Sequence, residues 1–146
     1  MRRDELTGLR AMDAFAPSRP CRAAIWIDTD HVKALNDRMG PQGGDRAIAA
    51  IGRAVRDVAG DEYMCRAPGD EFLVALPGGW SGDAVALAER IRVAVETVGP
   101  GMTVSVGVAV ADETSGSESG ALVDRAEHCQ LQAKARGRNA VSDRPH

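Results

Sequence analysis

The stretch "RAPGDEFLVALPG", Arg66 to Gly78, decides the fold. Pro68 presets φ and Gly69 accepts a positive φ, the pair that a type II turn requires between two strands. Beyond the turn, Phe72, Val74 and Leu76 alternate onto one face of a strand over about 71–76, and the incoming strand covers about 62–66. A tight turn forces antiparallel pairing. The chain is therefore read as α+β, with helices laid on a mixed or antiparallel sheet. Asp70 and Glu71 follow the turn directly. They are either solvated turn charges or carboxylates held over a reaction centre.

Upstream, "CRAAIWIDTD" carries the apolar run Ala23 to Ile27 and ends on two acids, the pattern of a central strand emerging at Asp28. A helix should follow at once, with Asp30 as its cap and Val32, Leu35 and Met39 on its buried face. A second helix starts near Pro41 and buries Ile48, Ile51, Val55 and Val58. Continuing that stripe backwards reaches Asp45, placed in the first turn at the edge of the buried face. Downstream, Ala84, Leu87, Ala88, Ile91 and Val95 line a third helix. The strand "MTVSVGVAV" follows, with Val104, Val106, Val108 and Val110 on one face and Thr103, Ser105, Gly107 and Ala109 on the other. Those small residues admit a closely packed neighbour. After the polar "DETSGSESG" comes a last helix over about 121–136, with Gly137 as its C-cap, and then a short strand at Ala140-Val141. The order is β-α-α-β-β-α-β-α with that final strand.

With 146 residues, the chain is read as a single domain over 1–146, its core over about 4–142. It has 44% hydrophobic and 27% charged residues, no stretch fit to span a bilayer and, in "MRRDELTGLR", no signal-peptide core. Cys21, Cys65 and Cys129 cannot all pair within one chain and are expected as reduced thiols in a cytoplasm. A net charge of -3 argues against DNA or RNA as partner, and no membrane partner is expected. His31, His128 and His146 show no spacing that suggests a metal site or a relay.

Asp28 at a strand end and Asp70 beside a turn can meet at one rim of the sheet. Two carboxylates there suit Mg2+, with Mn2+ as the alternative ion, because a hard cation is commonly held by one or two carboxylates plus substrate phosphates. Lys134 and Arg138, near the end of the last helix, and Lys33 could reach those phosphates. The alternatives stay open on spacing alone: cations at a helix C-terminus complement its dipole, Asp30 caps, Asp45 favours its own helix start, and Asn36 faces water.

The chain resembles the GGDEF domain of bacterial diguanylate cyclases through six segments in order. "DELTGL" resembles D-x-L-T-G-L, "IDTDHVKALND" resembles D-x-D-x-F-K-x-x-N-D, and "GPQGGD" resembles G-H-x-x-G-D. "RAPGDEF" stands for R-x-G-G-D-E-F, "TVSVGVAV" for S-x-G-x-A, and "RAEHCQLQAKARGRN" for A-D-x-A-L-Y-x-A-K-x-x-G-R-N. The resemblance implies a palm-like fold whose central, mostly antiparallel sheet is flanked by helices. Asp28 and Asp70 would bind two Mg2+ ions with the backbone carbonyl of Thr29, and Glu71 would activate the ribose 3'-hydroxyl or support the metals. Asn36 and Asp45 would bind guanine. Lys33, Lys134, Arg138 and the backbone amides around His31 and Val32 would hold phosphates. It further implies a homodimer that condenses two GTP into cyclic di-GMP, with control either by an upstream sensor or partner protein or by the chain's own association.

Departures accompany the match. Pro68 replaces a signature glycine, Pro41 a histidine, Val32 a phenylalanine, Glu127 an aspartate and Leu131 a tyrosine. Ala11 and Met12 stand where an asparagine-arginine pair belongs, and "AGDE" (Ala59 to Glu62) replaces the inhibitory R-x-x-D. Two other readings follow: a degenerate domain that holds GTP or another nucleotide without turnover, and the same chemistry on a different nucleotide.

Overall fold

A computed structural model of the chain describes residues 3–11, 21–111 and 119–144, the side chains of residues 10, 11 and 119 excepted. Most of the expected loop over 112–120, together with Met12 and His146, lies outside the described residues. The elements are β1 (Arg10–Ala11), β2 (Cys21–Thr29), α1 (Val32–Met39), α2 (Pro41–Ala59), a 3-10 turn (Asp61–Tyr63), β3 (Met64–Ala67), β4 (Glu71–Pro77), α3 (Ala84–Glu96), β5 (Val104–Val110), α4 (Ser119–Ala135) and β6 (Ala140–Ser142).

They form one six-stranded sheet in the order β1-β3-β4-β2-β5-β6. Its four inner strands pair antiparallel, and the short outer strands β1 and β6 pair parallel with β3 and β5. The apolar run of β2 is central, as its composition demands: Ala23, Ala24, Ile25 and Ile27 are fully buried between β4 and β5, so both faces of the strand are covered.

On one face, Ile25, Ile27, Phe72, Val74, Val104 and Val106 pack with Ile48, Ile51 and Val55 of α2 and with Leu87, Ile91 and Val95 of α3. Each such large side chain contributes roughly 1.5–3 kcal/mol by leaving water. Asp83 accepts a hydrogen bond from the Ala86 N–H at 3.0 Å and starts α3. On the other face, Ala24, Trp26, Cys65, Leu73 and Ala109 meet Leu122, Val123 and Ala126 of α4. The small-residue face of β5 explains how closely α4 sits. A Cβ on Gly107 would lie 1.9 Å from the Ala126 carbonyl oxygen and 2.3 Å from the Gln130 nitrogen.

Several expectations are corrected. The strand expected over 62–66 begins at Met64, because Asp61–Tyr63 turn as a 3-10 helix. Asp30 does not cap α1. His31 occupies that position at φ 66° with no side-chain cap, while the Asp30 carboxylate accepts hydrogen bonds from Thr103 Oγ1 and Ser105 Oγ, each at 2.8 Å. Val32 is buried, but Leu35 is only half-buried and Met39 is 57% exposed, since Gly40 ends the helix before its last turn reaches cover. Asp45 is the fifth residue of α2, in its second turn, and it is exposed. Val110 is exposed where β5 leaves the sheet. Strand β1 has only two residues, too few to leave a pattern.

Candidate functional site

The hairpin turn is held from outside. Ala67 pairs with Glu71, leaving Pro68, Gly69 and Asp70 as the loop, and Gly69 stands at φ 72°, the conformation expected of it. Arg66 donates to the Gly69 carbonyl through Nε at 3.3 Å and Nη2 at 2.9 Å, and through Nη1 to Asp4 Oδ2 at 2.9 Å. Asp4 also accepts from the backbone N–H and hydroxyl of Thr7. Burial alone would raise the Asp4 carboxyl, but the Thr7 and Arg66 donors bring it below its ordinary value. The segment "DELTGL" is thereby fastened to the signature turn, and Pro68, exposed and without an N–H to lose, is compatible with it.

The same turn is tied to the end of β2, where the Thr29 N–H donates to the Asp70 carbonyl at 3.1 Å. A cleft of about 470 Å³ opens there. Asp28, Thr29, His31, Val32, Lys33, Asp70, Lys134 and Arg138 all line it. The strand end, the start of α1, the hairpin turn and the end of α4 thus converge on one cleft.

Three candidates stand apart from that lining. Glu71 lies opposite Asp28 in the ladder, on the face toward α4, where Trp26 Nε1 donates to its Oε1 at 3.2 Å. Asn36 is half-buried, with Oδ1 packed against Gly44 and without a hydrogen-bond partner among the described residues, and Asp45 follows Gly44 on α2. These two are therefore neighbours at the α1–α2 corner.

Lys134 Nζ stands 3.1 Å from Asp28 Oδ2 and 3.6 Å from Asp30 Oδ1, so the ammonium bridges both acids of "DTD". Gln130, buried and one turn earlier on α4, donates to Asp28 Oδ2 at 3.3 Å. Burial pushes the Asp28 carboxyl up; Lys134 opposes that, and the charges of Asp30 and Asp70 add to it. Glu71 is likewise raised by burial, against the Trp26 hydrogen bond and with a contribution from the Asp28 charge. Half-buried carboxylates crowded in this way favour a cation beside them. Among the described residues no three His, Cys, Asp or Glu side chains cluster as a protein-only metal cage. The oxygen donors Asp28, Asp70 and the Thr29 carbonyl instead fit an ion that completes its shell from phosphates, and the buried Thr29 Oγ1 beside them has no hydrogen-bond partner among the described residues.

Sequence reasoning missed the roles of five residues here. Gln130 was legible as a polar residue on the α4 face shared by Ala126 and Lys134 at i±4. Trp26 was legible because a buried indole N–H needs an acceptor. The anchoring role of Asp30 and the Asp4–Arg66 link had no local signal.

The family model described as diguanylate cyclase, GGDEF domain, matches residues 9–140. The chain is 37% identical to the response regulator PleD of Caulobacter vibrioides over 159 aligned positions, covering 94% of this chain and 35% of PleD. It spans about a third of that relative's length. Among solved structures, the GGDEF domain of DgcB from Caulobacter crescentus, in complex with c-di-GMP, superposes with a TM-score of 0.82 at 26% identity, covering 97% of both chains. Diguanylate cyclase SiaD of Pseudomonas aeruginosa, in complex with its activator SiaC, gives 0.80 at 30% identity, covering 95% of this chain and 60% of SiaD. Within the described residues no helix is long and apolar enough to cross a membrane. With the hairpin turn, the two aspartates, Lys134 and Arg138 joined in one cleft, and with the match running nearly end to end, the chain belongs to the GGDEF domain family.

Proposed function

We propose that the chain is a diguanylate cyclase that joins two GTP molecules into cyclic di-GMP, releasing two pyrophosphates, with Mg2+ as cofactor and Mn2+ as a substitute. One observation carries the reading: carboxylates from the end of β2 and the hairpin turn, with cations at and just beyond the end of α4, line a single cleft. Asp28 and Asp70, with the Thr29 carbonyl, would hold Mg2+, which when bound supplies charge neutralisation at the phosphates. Lys33, Lys134, Arg138 and the amides near His31 and Val32 hold the triphosphate. The unpartnered Asn36 Oδ1 calls for an N–H donor, as the guanine edge supplies, with Asp45 beside it. Glu71, kept in place by Trp26, assists removal of the 3'-hydroxyl proton as that oxygen attacks the α-phosphorus of the second GTP.

Each chain contributes half of the reaction centre, so activity needs a two-fold homodimer. Initial rates should rise with the square of chain concentration where monomer dominates, and a strictly first-order dependence would reject the dimer. Control of that association falls either to an upstream sensor or partner protein, as SiaC is the activator of SiaD, or to the chain's own association. The reading is of a cytoplasmic enzyme with GTP as ligand and neither nucleic acid nor membrane as partner. Pro68 favours one second reading, a domain that keeps GTP without turning it over. Saturable GTP binding with no pyrophosphate release would select it.

A further inference from the structure

After α4 the backbone does something costly. Gly137, Arg138 and Asn139 stand in succession at φ 115°, 68° and 46°. Glycine adopts such angles freely and asparagine tolerates them, but arginine pays roughly 1–2 kcal/mol for the left-handed region. Residues persist there only where their surroundings over-determine them, and such positions cluster at ligand sites. No described hydrogen bond or ion pair involves the Arg138 side chain, which is exposed and lines the cleft. The residue after it is clamped from three sides.

The Asn139 N–H donates to Asp30 Oδ2 at 3.1 Å. Its Oδ1 accepts from Arg92 Nη1 at 3.0 Å, and its Nδ2 donates to Glu96 Oε2 at 2.9 Å. Ala140 then enters the sheet opposite Ser105. Arg92 is itself immobilised: Nε donates to both Glu89 oxygens at 3.0 Å, Nη2 also bonds Glu89, and Nη1 reaches Glu96 Oε1 at 3.1 Å. Its guanidinium is thus a fixed bracket on α3, an element that contributes nothing to the cleft lining. Exposed ion pairs of this kind add little stability by themselves. What this one does is hold Asn139, and with it the direction in which Arg138 leaves the backbone.

We propose that Arg92 is a positioning residue: through the Asn139 amide it holds the left-handed turn that aims Arg138 into the cleft at the phosphates of the bound nucleotide. The inference rests on the nucleotide reading of that cleft. It adds that phosphate affinity is set in part from α3, outside the cleft.

The test is a set of titrations of the whole chain with GTP and with guanosine, in Mg2+, for wild type, Arg92→Met, Arg138→Ala and the double variant. Arg92→Met keeps the packed stem and removes the fork. It should weaken GTP binding roughly tenfold, as loss of one charge-assisted hydrogen bond would, and leave guanosine binding unchanged. The double variant should bind GTP no more weakly than Arg138→Ala alone, because both changes remove one interaction. Asn139→Gly keeps the positive φ but drops the amide and should match Arg92→Met. In turnover, KM should rise with kcat nearly constant. Arg92→Met binding GTP like wild type, parallel losses for guanosine, or additive losses in the double variant would overturn the proposal while leaving the nucleotide reading intact. Wild type that binds no GTP would overturn both.

Discussion

Gly107→Ala perturbs the contact on which both the fold and the cleft depend. The added carbon would sit 1.9 Å from the Ala126 carbonyl oxygen, 2.3 Å from the Gln130 nitrogen and 2.9 Å from the Cys129 carbonyl carbon. A C···O contact relaxes to about 3.3–3.6 Å, so α4 must retreat by about 1.5 Å from β5. The obstructing atoms are helix backbone and cannot rotate aside. Overpacking of this kind costs about 3 kcal/mol, which for a domain of this size is a fall in Tm of roughly 6–12 °C. Two further glycines make a graded series. Gly52→Ala brings a carbon to 3.2 Å from Phe72 Cε1, a contact that a ring can relieve by a small shift, and Gly79→Ala meets nothing within 4 Å. Thermal unfolding followed by circular dichroism should rank them Gly107, Gly52, Gly79 from most to least destabilising. A Gly107→Ala protein that melts with Gly79→Ala would refute the close seating of α4. The same retreat would pull Lys134 from Asp28, so nucleotide binding should weaken in Gly107→Ala while Gly52→Ala binds normally.

Asp83→Ala removes the cap that accepts from Ala86 and should cost about 1 kcal/mol in denaturant unfolding, with no cost expected if α3 starts independently of it. The Asp4 carboxyl lies below its ordinary 3.8 in the folded chain, so its contribution is complete above that value and is lost as pH falls through the lower folded value. Wild type should accordingly lose more stability below pH 3.8 than Asp4→Asn does, and parallel acid profiles would remove the Arg66 and Thr7 anchor from the account. Pro68→Gly frees the unfolded chain and should lower stability by roughly 0.4–1 kcal/mol with little change in turnover. A large loss of activity in that variant would mean that the site depends on proline.

The hairpin was legible because Pro-Gly between apolar alternations has one economical geometry, and β2 because a run closed on both faces must be central. Asp28 and Asp70 were legible as a strand end and a turn. Asp30 was misread as a cap because its partners, Thr103 and Ser105, lie 73 and 75 residues further along the chain. Arg66 and Asp4 are 62 residues apart, and no local pattern announces such a pair. Met39 was misassigned because helical spacing identifies a face but not whether anything covers its last turn. Asn36 and Asp45, assigned by resemblance, sit at the α1–α2 corner, outside the cleft lining that Asp28, Asp70, Lys134 and Arg138 share.

The most direct measurement is mass analysis of nucleotides after incubating the chain, at dimer-favouring concentration, with GTP and Mg2+, beside Asp70→Ala as control. The account predicts cyclic di-GMP and pyrophosphate from wild type and neither from the variant, whose fold should survive loss of a rim carboxylate. GTP left intact by a folded wild-type chain, or product formed equally by Asp70→Ala, would contradict it.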